Sequence, residues 1–167
     1  MLTFDRTEMV KVQSASGPQK AEGYFREVGS SSTAFPETWK TGNSVPDGIV
    51  HWLKALDIVE ARLRALRGAQ LANYQSQEYP NPGWCRVCKK NVDKKTKSPI
   101  LPGVNDLGTL TEDDRIWYVE YRIRLDGTLY LWPGGTRHYF TEHACMPSLE
   151  FYNLMNKFAV YAESNQF

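Results

Sequence analysis

Three cysteines and three histidines are spread over 167 residues, and four of the six form two tight pairs: Cys85 and Cys88 in a Cys-x-x-Cys, His143 and Cys145 in a His-x-Cys. Two residues between cysteines let a tight turn aim both thiolates at one point. The basic neighbours Arg86, Lys89 and Lys90 favour the thiolate form. A tetrahedral zinc ion takes four N or S ligands. In an extended segment residues two apart point the same way, so His143 and Cys145 complete the set with Cys85 and Cys88. His138 competes for the fourth place, but the parity of an unbroken strand puts it on the face opposite His143 and Cys145. His51 lies beside an apolar stripe and reads as a boundary residue. One structural Zn2+ is therefore expected, with buried or redox thiols as the alternative. A thioredoxin-like dithiol would need a βαβ setting that this chain lacks.

An odd number of cysteines, two of them in a Cys-x-x-Cys, argues for a reducing compartment rather than a disulfide framework. The N-terminus has neither a basic nor an apolar leader region, and no window approaches the ~20 apolar residues of a membrane span. Both point to a cytoplasmic protein, or to an intracellular component of a virus, with no membrane partner. Formal net charge is +1, which favours protein partners over nucleic acid. The distribution is uneven, however: residues 81–100 carry six basic groups against one acidic, whereas residues 101–167 carry five against nine. A short basic patch (Arg86, Lys89, Lys90, Lys94, Lys95, Lys97) is thus available for nucleic-acid phosphates, with Trp84 placed to stack on a base. The plain alternative is a lysine-rich loop that stays solvated.

Along the chain, Met9–Gln13 alternates as a strand does. From Ser14 to Asp47 the text is rich in Ser, Gly, Pro and Thr and reads mostly as loop, with a short strand at Gly23–Val28. Residues 1–44 are accordingly expected as a loop-rich N-terminal arm, and 45–167 as one compact unit. Ser44-Val45-Pro46-Asp47 has the form of a capping box. It opens an amphipathic helix over about 45–67, whose apolar stripe is Ile49, Trp52, Leu56, Val59, Leu63 and Leu66. That stripe serves either the chain's own core or, by its heptad-like spacing, self-association. Glu60 and Arg64 form a favourable i,i+4 pair on the polar face. Ile116–Arg124, the turn Asp126-Gly127 and Thr128–Trp132 predict a hairpin, and Thr136–Phe140 a third strand of a meander. Pro147 opens a second amphipathic helix to about Ala162. The fold class is α+β: a small antiparallel meander with two amphipathic helices. An aromatic share of 13% gives it ample bulk for a core.

Trp84-Cys85-Arg86-Val87-Cys88-Lys89-Lys90 resembles a zinc knuckle. The order of knuckle, hairpin and two ligands at the mouth of a helix resembles a treble-clef zinc finger, although the stretch between ligand pairs is long and His-x-Cys replaces the usual two-residue spacing. Glu142-His143, Pro147 and Asn153-Leu154 also resemble the HNH endonucleases, which would imply a catalytic metal and His143 as base. In that comparison the proline is displaced by one position and a final histidine is missing. No His-x-Glu precedes the Cys-x-x-Cys as a zinc deaminase requires, and no His-Glu-x-x-His, Gly-x-Ser-x-Gly or phosphate-binding Gly-rich loop occurs. The function expected is a non-enzymatic, zinc-stabilised binding or adaptor protein. A structural subunit of a viral particle or larger assembly, and an HNH-like nuclease, stand as alternatives.

Overall fold

Alternation in Val119-Glu120-Tyr121-Arg122-Ile123 sends every second side chain to one face, and Val119, Tyr121 and Ile123 are all buried there. The strand, β4, must then reverse tightly to bring a second apolar face alongside. The computed structural model describes residues 1–24, 39–66, 73–78 and 119–167. In it Asp126 (φ 50°) and Gly127 (φ 79°) both take positive φ, the backbone of a type I′ turn matched to right-handed strand twist. They join β4 (Val119–Leu125) to β5 (Thr128–Pro133) in the register Leu125↔Thr128 to Glu120↔Pro133. Tyr121 and Trp132 face each other across that register with ring centroids 5.6 Å apart.

Three further strands extend the hairpin into a five-stranded sheet of order β1-β2-β5-β4-β3. These are β1 (Val10–Val12), β2 (Gln19–Ala21) and β3 (Tyr74–Glu78). All neighbouring pairs are antiparallel except β2 with β5, which is parallel. Residues 1–24, expected to belong to a loop-rich arm, thus supply two strands to the same sheet as the C-terminal hairpin. β1 matches the alternation at Met9–Gln13. The polar β2 and β3 were not expected, and the strand expected at Gly23–Val28 lies mostly outside the described residues.

Helix α1 (Asp47–Ala65) and helix α3 (Leu149–Glu163) pack together on one face of the sheet. Ile49, Trp52, Leu56, Val59, Leu63 and Leu66 are all buried in the chain's own core, alongside Phe151, Met155 and Phe158 of α3. Trp52 donates its indole N–H to the Tyr152 carbonyl at 3.0 Å and stacks on the Tyr152 ring. All six residues of the stripe thus take part in the chain's own core. The capping box expected at Ser44 does not form. Val45 precedes a proline and is steered away from helical dihedrals, so the helix starts later, with Pro46 extended at the N-cap and no side-chain cap. α3 is capped as a helix usually is, by Ser148 Oγ accepting from Phe151 N–H at 3.1 Å.

The third strand of the expected meander is a helix instead, α2 (Thr136–Glu142). A strand would have sent Tyr139 and Phe140 to opposite faces, whereas both are fully buried here. Helical winding turns both into one aromatic pocket, against Trp39 at 5.4 and 5.2 Å and, for Phe140, Trp52 at 5.4 Å. Thr136 Oγ1 fixes the entry by donating to Pro133 O at 2.6 Å.

Candidate metal centre

Winding residues 136–142 into α2 redraws the geometry of the C-terminal ligand pair. α2 ends at His143 (φ −118°, ψ 4°), and Ala144 turns left-handed (φ 47°). The segment His143–Cys145 is therefore not extended, and the alternation that would aim His143 and Cys145 at one point does not apply. Cys145 swings back under the helix, its N–H donating to Tyr139 O at 3.0 Å, and its side chain is 1% exposed within the hydrophobic core.

His138, by contrast, comes to His143. Their Nε2 atoms stand 3.1 Å apart and their ring centroids 4.9 Å apart, at an interplanar angle of 67°. Strand parity would separate the two rings, whereas one helical turn plus the capping residue places both on the same side. His138 is 6% exposed and His143 half-buried. Tyr139 flanks both rings, at 6.1 and 6.2 Å. Gly42 N–H donates to His143 O at 2.9 Å, pinning the turn to the segment that follows Trp39. That approach leaves no room for a side chain at position 42, where a Cβ would stand 2.9 Å from Ala144 O.

Two imidazoles with facing Nε2 atoms have two chemical options. One ring donates and the other accepts, or both turn lone pairs toward a shared cation. Two nitrogens bound to tetrahedral zinc at ~2.0–2.1 Å are roughly 3.3–3.4 Å apart, so the observed pair needs to open by only a few tenths of an ångström. Among the described residues no three His, Cys, Asp or Glu side chains gather into a metal-binding group. Cys85 and Cys88 lie outside the described residues, as do Trp84, Arg86, Lys89, Lys90, Lys94, Lys95 and Lys97. Of the other residues of the HNH resemblance, Glu142 and Asn153 are exposed, whereas Pro147 and Leu154 are buried.

A second polar feature escaped the sequence pattern. Glu60, expected on the solvated face of α1, is 7% exposed and accepts from the Trp132 indole N–H at 2.9 Å. Burial pushes its carboxyl up to about 8, against the opposing pull of the Trp132 hydrogen bond and the Arg64 charge. Arg64, the expected i,i+4 partner, donates to the Tyr121 hydroxyl and lies over its ring at 5.8 Å. On the opposite face of the sheet an open groove of about 380 Å3 is lined by polar and aliphatic side chains including Gln19, Gln75, Arg122, Arg124, Leu129 and Leu131. Arg122 is held there by Glu120 at 2.7 Å.

Compared with known proteins, the chain matches no family model, no curated protein and no solved structure. No helix among the described residues is long and apolar enough to cross a membrane.

Proposed function

We propose that this protein is a non-enzymatic binding or adaptor module stabilised by one structural zinc ion, with Cys85 and Cys88 as thiolate ligands and the end of α2 supplying the imidazole side. The observation that carries this reading is the His138–His143 pair, two ring nitrogens 3.1 Å apart and largely withdrawn from water. A shell closed by four protein ligands leaves no position for a substrate water, which is the mark of a structural rather than a catalytic zinc. The groove on the outer face of the sheet and the basic run from Arg86 to Lys97 are the surfaces offered to a partner, protein for the first and nucleic acid for the second.

Elemental analysis of the purified protein tests the reading. One equivalent of zinc per chain, no metal-dependent cleavage of DNA or RNA, and loss of the metal in Cys85→Ser support it. Folded protein with no bound metal overturns it. Anisotropy of a labelled single-stranded oligonucleotide then separates the two partner classes: binding that falls steeply with salt and with Lys94→Glu/Lys95→Glu assigns the basic run to nucleic acid.

A further inference from the structure

We infer that the groove on the outer face of the sheet takes an extended peptide segment with an acidic side chain, its carboxylate gripped by Arg124 while an aliphatic neighbour lies over Leu129 and Leu131. This inference rests on the reading of that groove as the surface offered to a protein partner, and adds the chemistry of the segment bound. It is independent of the zinc.

The strand register sets the groove out in two rows. Gln19 of β2, Leu129 of β5 and Arg124 of β4 are successive partners in one row, and Leu131, Arg122 and Gln75 in the next. Rows two residues apart along a strand are separated by roughly 6.7 Å, which is also the step between alternate side chains of an extended peptide. Leu129 and Leu131 form a half-buried aliphatic floor. The charges beside that floor are unequal. Among the described residues Glu120 is the one acid in the lining, and it is engaged by the Arg122 guanidinium at 2.7 Å and by the Tyr24 hydroxyl. Arg124 is exposed and, among the described residues, enters no ion pair. Its backbone is fixed, with the N–H donating to Asn73 O at 2.7 Å, so its guanidinium fork stands on a paired strand. Such a fork matches a carboxylate with two parallel hydrogen bonds. Gln19 spends its amide nitrogen on the Ser14 and Ser16 hydroxyls at 2.9 and 3.2 Å, leaving its carbonyl oxygen to accept from a peptide N–H. A volume of about 380 Å3 suits a few residues of such a segment. A nucleic-acid strand fits the groove less well, because its described lining offers bases no aromatic ring to stack on.

Selection of the full chain against a displayed library of random heptapeptides, followed by anisotropy of the selected peptides, tests the inference. The peptides are expected to carry an acid close to an aliphatic residue, and Arg124→Glu to bind them at least ~10-fold more weakly. Lys11→Glu makes the same change of charge on the opposite face of the sheet, where Lys11 pairs with Lys20, and should stay within about 2-fold. Should Arg124→Glu not fold, Arg124→Gln removes the charge alone and should still weaken binding several-fold. Selected peptides without an acid, or binding unchanged in both Arg124 variants, overturn the inference. If those peptides are nevertheless lost in Leu129→Arg, the groove stands as a peptide site of other chemistry; if they are not, or if no peptide is selected, the reading of the groove as a protein-partner surface falls with it. A labelled oligo-dT strand that binds the wild type and is lost in Arg124→Glu but kept in Lys11→Glu would assign the groove to nucleic acid and also overturn the inference.

Discussion

Glu22 and Ser148 are 126 positions apart in the chain and joined by two hydrogen bonds: Glu22 Oε1 accepts from the Ser148 backbone N–H at 2.7 Å, and Oε2 from its hydroxyl at 2.9 Å. The same hydroxyl oxygen accepts from Phe151 N–H, so one carboxylate orients the cap of α3. Arg6 completes the group with an ion pair to Glu22 Oε1 at 2.8 Å. Alongside it, Glu150 accepts from Met9 N–H at 2.8 Å and Lys20 Nζ at 2.6 Å, while Leu149 N–H and Glu150 N–H reach Arg6 O and Thr7 O. Both acids sit at a helix N-terminus, where the orphan N–H groups and the dipole favour negative charge. Through them the first 24 residues are fastened to the last helix as well as to the sheet.

Removing Glu22 takes a buried charged acceptor away from both Arg6 and the Ser148 N–H, so Glu22→Ala should lower stability by ~2–4 kcal/mol. Ser148→Ala, which loses only the cap, should lower it by ~1–2 kcal/mol. The double variant should be less damaged than the two effects added, with a coupling of about 1 kcal/mol or more. Urea denaturation of the four proteins measures this directly. Strict additivity would show that the pair is not a unit.

The elements legible in the sequence were those where local chemistry and burial agree. Ile49 to Leu66 and Phe151 to Phe158 repeat at helical spacing and are core, and Asp126-Gly127 has the residues that a type I′ turn demands. β2 (Gln-Lys-Ala) and β3 (Tyr-Gln-Ser-Gln-Glu) were not legible, because their pairing partners, not their own side chains, make them strands. Thr136–Phe140 misled for the opposite reason. Its β-branched and aromatic residues favour a strand locally, and the aromatic pocket built by Trp39, Trp52 and Phe151 overrides that preference. The placement of the two imidazoles depended on the same choice: as a strand, 136–140 puts His138 on the face opposite His143, and as a helix it brings the two rings together. A sequence signal was present nonetheless, since His138-x4-His143 is a ligand spacing in its own right.

Glu60 supplies a pH dependence whose sign is fixed by its burial. Its carboxyl ionises near 4.5 in the unfolded chain and only near 8 in the fold, so between those values the folded state holds the extra proton. Its contribution to stability is fully present below pH ~4.5 and is lost progressively as pH rises to about 8, at ~1.4 kcal/mol for each pH step of one. Glu60→Gln keeps an oxygen acceptor for the Trp132 N–H and removes the ionisation. Urea titrations from pH 5 to 8 should show a shallower decline for the variant, which becomes the more stable protein at the alkaline end. Parallel curves for the two proteins would mean that Glu60 ionises normally in the fold.

At Gly42 a neighbouring stretch of backbone closes off the space for a side chain. An added methyl would meet the carbonyl oxygen of Ala144 at 2.9 Å and its Cβ at 3.2 Å, and the first is backbone that cannot rotate away. Gly42→Ala should cost ~1–3 kcal/mol, in the range of overpacked sites. Gly127→Ala is the control, for there a Cβ meets open space and only the positive φ is strained, at roughly 1 kcal/mol. Thermal denaturation should order the three proteins as wild type, Gly127→Ala, then Gly42→Ala; the reverse order of the two variants would argue against tight packing at the Ala144 turn.

Chelation of the proposed zinc should loosen one region and spare another. In the smallest zinc fingers the metal is most of the folding free energy and its removal unfolds the chain. Here α1, α3 and the β4–β5 hairpin share a core that includes Trp52, Leu56, Tyr121, Trp132, Phe151 and Phe158, bulk enough to hold these elements together without a metal. The α2 turn is different, because it carries His138 and, at its C-cap, His143, so a bound metal would add to the contacts that Tyr139 and Phe140 make with Trp39. Hydrogen exchange with and without chelator should therefore show protection lost first over residues 136–145, with the amides of α1 and of β4 and β5 still protected at 25 °C and the melting temperature lowered. Complete loss of protection throughout would make the metal the foundation of the whole fold; no change over 136–145 would place it elsewhere.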